Sequence, residues 1–369
     1  MTFGEKMRAL MAERGVSLRA LAKTLPADPG HLSRISRDLK PPSDDMAAQI
    51  DHALGADGTL TALARTSPAR PALTPDDEER LLLAARRPVR TDLKVVESLA
   101  VVLDAQRRIE DSVGSAPLLE PVRANLVVLR RLVIEARGPV RVKVVHVAAQ
   151  WAQFYGWLRA NVGDLAGGNG WLDRALEWAV ESGDVDLVSE VLSFKGHLAW
   201  MNGTPGPVIG LSAAALRGDG LYPGQRAISA AQEARGHAML GDASETRRML
   251  DLSEEQAAAA RERREEAPPW LYYHVPGFFE LQRGLAYRYL GRDDPRFNEK
   301  AADTLNEGLE ALPGEMRGSE WAGEFVYQLG RVRLQAGERE AARLLGAELA
   351  GIAERLGSGR LGGRVGELR

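Results

Sequence analysis

The sequence predicts an all-α protein: an N-terminal domain of five short helices built around a helix-turn-helix, then an α-solenoid of helical hairpins. Three observations carry this. Apolar residues recur at helical spacing through the first 65 positions, with turn residues between the runs. From about Thr91 onward the pattern is almost wholly helical. Glycines on that background pair at a fixed interval, for Gly156 and Gly163, Gly196 and Gly203, Gly284 and Gly291, and Gly330 and Gly337 are each seven apart.

At 369 residues the chain exceeds one ordinary domain. A composition of 44% hydrophobic and 27% charged residues with a net charge of −3 is that of a globular protein and names no partner. Cysteine is absent, which removes disulfides, thiolate metal sites and cysteine nucleophiles together and fits a reducing cytosol. No run approaches the ~20 apolar residues of a membrane span; Val140 to Ala149 is broken by Arg141, Lys143 and His146. No secretory leader is evident, so a soluble, cytoplasmic protein without a membrane partner is expected.

Phe3, Met7, Leu10 and Met11 share one face, and Gly15 ends the first helix. Ser17 is placed to cap a second helix with Leu18, Leu21, Ala22 and Leu25 inward. Ala22 is small where two crossing helices must approach, and Pro26 stops the helix. Asp28 caps a third, with Pro29 at the position where a missing N–H costs nothing. Leu32, Ile35 and Leu39 point inward there, which leaves Gly30, His31, Ser33, Arg34 and Arg37 facing out. After Pro41-Pro42-Ser43, Met46, Ala47, Ile50 and Leu54 supply a fourth helix, and Leu60, Leu63 and Ala64 a fifth.

Two short helices joined by a tight turn, the second bearing exposed polar groups, form the layout of a major-groove reader. Arg34 can pair bidentately with guanine, while His31 and Ser33 can donate to bases or phosphates. Lys23, Arg37 and Lys40 suit phosphates, which set register rather than sequence. Ser17, Arg19, Asp28 and Gly30 complete the candidate DNA-binding set. Through position 65, nine basic residues face eight acidic ones, a net of +1. The signs are segregated, with five bases from Arg19 to Lys40 against Asp28 and Asp38. The competing reading is a merely solvated face. So small a surplus also implies that one domain alone binds poorly and that dimerisation matters.

These residues resemble the phage-repressor/Cro-like family, often called XRE. The matching segments are Gly15-Val16-Ser17, Leu21-Ala22, Leu32-Ser33-Arg34-Ile35, Pro41-Pro42-Ser43 and Ala53-Leu54-Gly55. The chain departs from the family at Leu18, where Gln is usual, and at Ser36, where Glu is frequent. The first departure leaves a customary phosphate-side contact without its donor.

Residues 66–75 carry three prolines in eight positions and read as a semi-extended linker after a domain spanning 1–65. Asp76-Asp-Glu-Glu79 begins a new helix with acid at the positive end of its dipole. A helical connecting or dimerisation region is expected over 76–145, where Val95, Leu99, Val102 and Leu103 mark one helix and Leu126, Leu129, Leu132 and Val133 another. A repeat domain follows over 146–356, then a flexible tail over 357–369.

The leading glycines of the array, Gly156, Gly196, Gly236, Gly284 and Gly330, step by 40, 40, 48 and 46, with Gly241 two residues early as the partner of Gly236. A glycine pair at such a period on a helical background means stacked hairpins: the first lets helices cross closely and the second ends the helix. The segments Trp151-Ala-Gln-Phe-Tyr-Gly-Trp, Phe194-Lys-Gly-His and Ala234-Arg-Gly-His resemble tetratricopeptide repeats, about five degenerate units with a longer period than usual. Such arrays present a concave surface from the first helix of each hairpin. Counting from each leading glycine puts Gln153, Trp157, His197, Trp200 and Glu233 in that groove, followed by His237, Arg288, Tyr327 and Arg331. Rings mixed with charged groups suit a peptide or an amphipathic small molecule. His197 and His237 hold equivalent places and either meet a ligand or pack between helices; no third ligand stands beside them for a metal. Trp151, Trp171 and Trp178 read as core anchors.

No phosphate loop ends in Gly-Lys-Ser/Thr, and His-Glu-x-x-His and Gly-x-Ser-x-Gly are missing. Neither catalysis nor a cofactor is expected. The whole pattern resembles actinobacterial XRE-type regulators with tetratricopeptide C-termini and, more loosely, peptide-pheromone receptors. That likeness implies a bacterial transcriptional regulator, a homodimer on a double-stranded DNA operator, whose repeats take a peptide, small molecule or protein. The alternative is a protein-interaction adaptor with a weak or vestigial helix-turn-helix.

Overall fold

The computed structural model describes residues 2–25, 27–37, 42, 44–66, 73–88 and 91–369, and among them there is no strand. The chain divides between Ala72 and Leu73 into two compact units. Pro26, Leu39, Lys40 and positions 67–72 of the linker lie outside the described residues.

The first unit holds α1 (Phe3–Glu13), α2 (Leu18–Thr24), α3 (Pro29–Ser36), α4 (Asp44–Ala53) and α5 (Thr59–Thr66). Its core is the set the periodicity marks: Met7, Leu21, Leu32, Ile35, Ile50 and Leu54 are fully covered. Leu18 is only half-buried. Gly15 takes a φ of +64°, the left-handed conformation that ends a helix. Two devices were not foreseen. Thr2 and Glu5 form a reciprocal capping box on α1. The buried Asp51 carboxylate accepts the backbone N–H groups of Gly58, Leu60 and Thr61 at 2.8, 2.7 and 3.0 Å, tying α4 to the start of α5.

The second unit opens with α6 (Pro75–Arg86), α7 (Leu93–Val113) and α8 (Leu119–Glu135). Five helical hairpins follow. They are α9 (Pro139–Asn161) with α10 (Leu165–Ser182), α11 (Val185–Met201) with α12 (Pro205–Ala215), and α13 (Pro223–Met239) with α14 (Ala243–Glu262). The last two are α15 (Phe278–Leu290) with α16 (Arg296–Ala311), then α18 (Glu320–Gln335) with α19 (Arg339–Leu356). A single turn, α17 (Gly314–Arg317), precedes the fifth hairpin, and α20 (Gly359–Val365) follows it.

The glycine pairs act as close-approach and stop positions. A Cβ at Gly168 in α10 would sit 2.7 Å from the Gly156 carbonyl in α9, so the two backbones cross where neither residue has a side chain. Gly163, Gly203, Gly241 and Gly337 all have positive φ. Gly291 ends α15 with φ −64° instead and packs against Asn298. The longer step between Gly236 and Gly284 is taken up by residues 263–277, which make two short 3-10 turns.

Two expectations are corrected. Residues 76–145 are not a separate connector, because Ala84, Leu99, Leu103 and Leu126 share one core with Trp151 and Leu172. The Trp151 indole donates to the Leu99 carbonyl at 3.1 Å, locking α7 onto the first hairpin. Nor is 357–369 a flexible tail. Leu361 and Leu368 are fully buried in the fifth hairpin's core, and Ser358 caps α20. Its glycine-rich composition hid the two leucines that anchor it.

Candidate functional site

In the first unit, Ser17 and Asp28 cap the two helices of the helix-turn-helix: Ser17 Oγ accepts from the Ala20 N–H at 3.2 Å and Asp28 Oδ1 from the His31 N–H at 2.7 Å. These bonds set where α2 and α3 begin, so both residues position the interface. The Arg8 guanidinium donates to the Ser36 carbonyl and pins the end of α3 to α1. Arg19, Lys23, Gly30 and Arg34 are exposed, and His31 and Ser33 half so. Arg34 makes no hydrogen bond or ion pair among the described residues. Arg37 is exposed too, with Nε turned back to the Ser33 carbonyl at 3.2 Å. Lys40 lies outside the described residues.

In the second unit, the inner helices of all five hairpins converge on a cavity of about 1020 Å³, open space at its mouth included. Four of the expected groove residues line it: Gln153, Trp157, His197 and Trp200. Five do not. Glu233 and His237 lie on α13 as an i,i+4 pair with a 3.7 Å contact. Arg288 is buried against the Tyr289 ring, 4.7 Å from its centroid. Tyr327 and Arg331 both donate to Glu367 Oε2, at 2.7 and 2.6 Å, so the C-terminal turn covers them.

The misplacement has a geometric cause. A constant offset from each leading glycine assumes a straight stack, whereas successive hairpins rotate. Trp157 and His197 face the cavity one residue after Gly156 and Gly196, but in the third hairpin Arg235 does so one residue before Gly236. In the fourth it is Gln282, two before Gly284, and in the fifth Phe325, five before Gly330.

Other lining residues come from outside the inner helices. Arg107 and Glu110 reach in from α7, Tyr272 and Tyr273 from the segment before α15, and Arg360 from α20. The aromatic segment carries a signal that went unread: Trp270 to Phe279 holds five Trp, Tyr or Phe in ten residues. Arg107 and Arg360 had none, since each depends on a long-range contact.

The walls are electrostatically unusual. Burial lowers the Arg235 guanidinium to about 10; it donates to Gln232 Oε1 at 2.9 Å and lies 4.5 Å over the Trp200 ring. Burial, with Arg235 adding to it, holds the His197 imidazole well below its usual range, and its ring lies 5.6 Å from Trp157 and 5.0 Å from Trp200. Burial pushes Glu190 up to about 7 despite a 3.3 Å bond from Tyr273. Glu110 is pushed up to about 8 by burial and by Asp111 beside it. Glu324 is the exception: burial works against its charge, but Arg364 and Arg360 outweigh it and hold the carboxyl at about 2. Among the described residues no group of three or more His, Asp or Glu could hold a metal ion. No helix of the described chain is long and apolar enough to cross a membrane.

Residues 2–64 match the model of a helix-turn-helix domain family. No curated protein matches the chain.

Proposed function

We propose that the protein is a sequence-specific transcriptional regulator of the XRE type, which reads DNA through α3 and senses a ligand through a tetratricopeptide-like array. The observation that carries this is Arg34, exposed and, among the described residues, without a hydrogen bond or ion pair, on the capped second helix of a matched helix-turn-helix. A guanidinium left free in that position is suited to a guanine edge. On this reading the chain has no catalytic role, and Glu110 and Glu190 serve the electrostatics of the cavity.

The small charge surplus of the first domain argues for a homodimer, which would set two recognition helices ~34 Å apart. Eight of the thirteen exposed large apolar side chains among the described residues fall within 76–145, Leu82, Leu83 and Ile134 among them. Their concentration in this stretch of the sequence supports looking for the pairing surface there. A ligand would act by binding one dimer geometry better than the other. Operator selection from random duplexes with the full-length protein tests the reading. Enrichment of a two-fold symmetric motif is expected; failure to enrich any motif at moderate salt would favour the adaptor reading instead.

A further inference from the structure

The geometry points to the cavity as a binding site for a small aromatic carboxylate, its ring body along Trp157, His197 and Trp200 and its carboxylate on Arg235. This deepens the sensor reading, yet binding itself can be measured without it.

Arg235 is 1% exposed and sits in the C-terminal part of α13. Its hydrogen bond goes to the neutral Gln232, its Nε has no partner, and no carboxylate lies within ion-pair distance among the described residues. A buried guanidinium without a counter-charge is costly, and proteins otherwise pair such groups. The same wall shows the paired alternative, for Arg360 and Arg364 both bond Glu324. Arg107 repeats the Arg235 pattern. It is 4% exposed, with one nitrogen 3.4 Å from Gln150 Oε1 and Nη2 without a partner among the described residues.

Three arginines and three glutamates line the cavity, but neither Arg107 nor Arg235 has a carboxylate within ion-pair distance among the described residues. Glu324 is committed to its two arginines, and burial drives Glu110 and Glu190 toward their neutral forms. An aromatic cage alone could hold a cation; the buried guanidinium groups of Arg107 and Arg235 favour an anion here. The planar fork of arginine matches a carboxylate. Rings lead up to it without a break, Trp157 to His197 to Trp200, with Arg235 stacked on the last. The cavity, partly covered by α7, the 263–277 segment and α20, has room for a small aromatic molecule. A peptide laid along an open concave face would find that face occupied.

The test is calorimetric titration of the full-length protein with 1-naphthylacetate and with 1-naphthylacetamide, which share a shape and differ in charge. The acetate is expected to bind one per chain and at least ten-fold tighter than the amide. Arg235→Gln is expected to bring the two within about two-fold, chiefly by weakening the acetate. Equal affinities, no binding of either, or a preference that survives Arg235→Gln would overturn the assignment. If Arg235→Gln fails to fold by circular dichroism, the ratio on the unaltered protein decides alone. A charge-dependent site whose occupation leaves DNA binding unaltered would sink the sensor reading and leave the site standing.

Discussion

The backbone N–H of Ser115 donates to Oε2 of Glu320 across 3.1 Å, although the two residues lie 205 positions apart. The other carboxylate oxygen accepts the Ser358 hydroxyl at 2.5 Å. One buried carboxylate thus joins the exit of α7 and the cap of α20, both of which cover the cavity, to the start of α18, which lines it. Glu320→Ala leaves a buried N–H without an acceptor, for a cost of about 1–3 kcal/mol. A shift of the denaturant midpoint followed by tryptophan fluorescence reads it, because all seven tryptophans lie in the second unit.

Gly168 and Gly170 share α10 and are expected to respond oppositely to alanine. At Gly168 the new Cβ meets the Gly156 carbonyl at 2.7 Å, backbone against backbone, and overpacking should destabilise by roughly 1–3 kcal/mol. At Gly170 a Cβ meets nothing within 4 Å, so the better helix former should stabilise by about 0.5–1 kcal/mol. Paired thermal melts of the two variants check the sign at each site.

Asp51 supplies a pH-dependent lock on the first unit. Burial disfavours its charge, yet the N–H groups of Gly58, Thr61 and Leu60 together outweigh burial and hold its pKa below the ordinary value. A depressed folded pKa means stability present above the ordinary carboxylate range and lost as pH falls through the folded value. Asp51→Ala should speed amide exchange at Leu60 and Thr61 by at least about ten-fold, or ~1.4 kcal/mol. That gap should close as the solution is acidified.

Glu110 has the opposite sign. Its folded pKa of about 8 lies above the ordinary value, so its contribution is full in mild acid and lost as pH rises through 8. Glu110→Gln keeps an acceptor for the Ser115 hydroxyl, now 2.6 Å from Oε1, and removes the titration. Its melting temperature should match the unaltered protein near pH 5 and exceed it above pH 8.

The fold was legible because its signals are local. Caps at Ser17 and Asp28, the apolar faces of the first five helices and the glycine pairs each act within a few residues. The cavity was half legible. Gln153, Trp157, His197 and Trp200 fall in the first two hairpins, where little rotation has accumulated, whereas Tyr327 and Arg331 fall in the fifth, where the inward face has slid toward the start of the helix. Arg107 and Glu110 come from α7, whose end is held by a contact 205 residues away, Ser115 with Glu320, and Arg360 comes from α20, held to α18 by Glu324 36 residues back. No periodicity encodes such a pairing.

The claim that α3 reads DNA is tested most directly by retardation of a selected operator with Arg34→Ala, Arg37→Ala at fixed salt. Both side chains are exposed, so the melting temperature should not move. Loss of a bidentate base contact costs about 1–3 kcal/mol, roughly ten-fold or more in affinity, and the expected result is loss of specific retardation with weak non-specific binding retained. Undiminished specific retardation by a folded double variant would contradict the account.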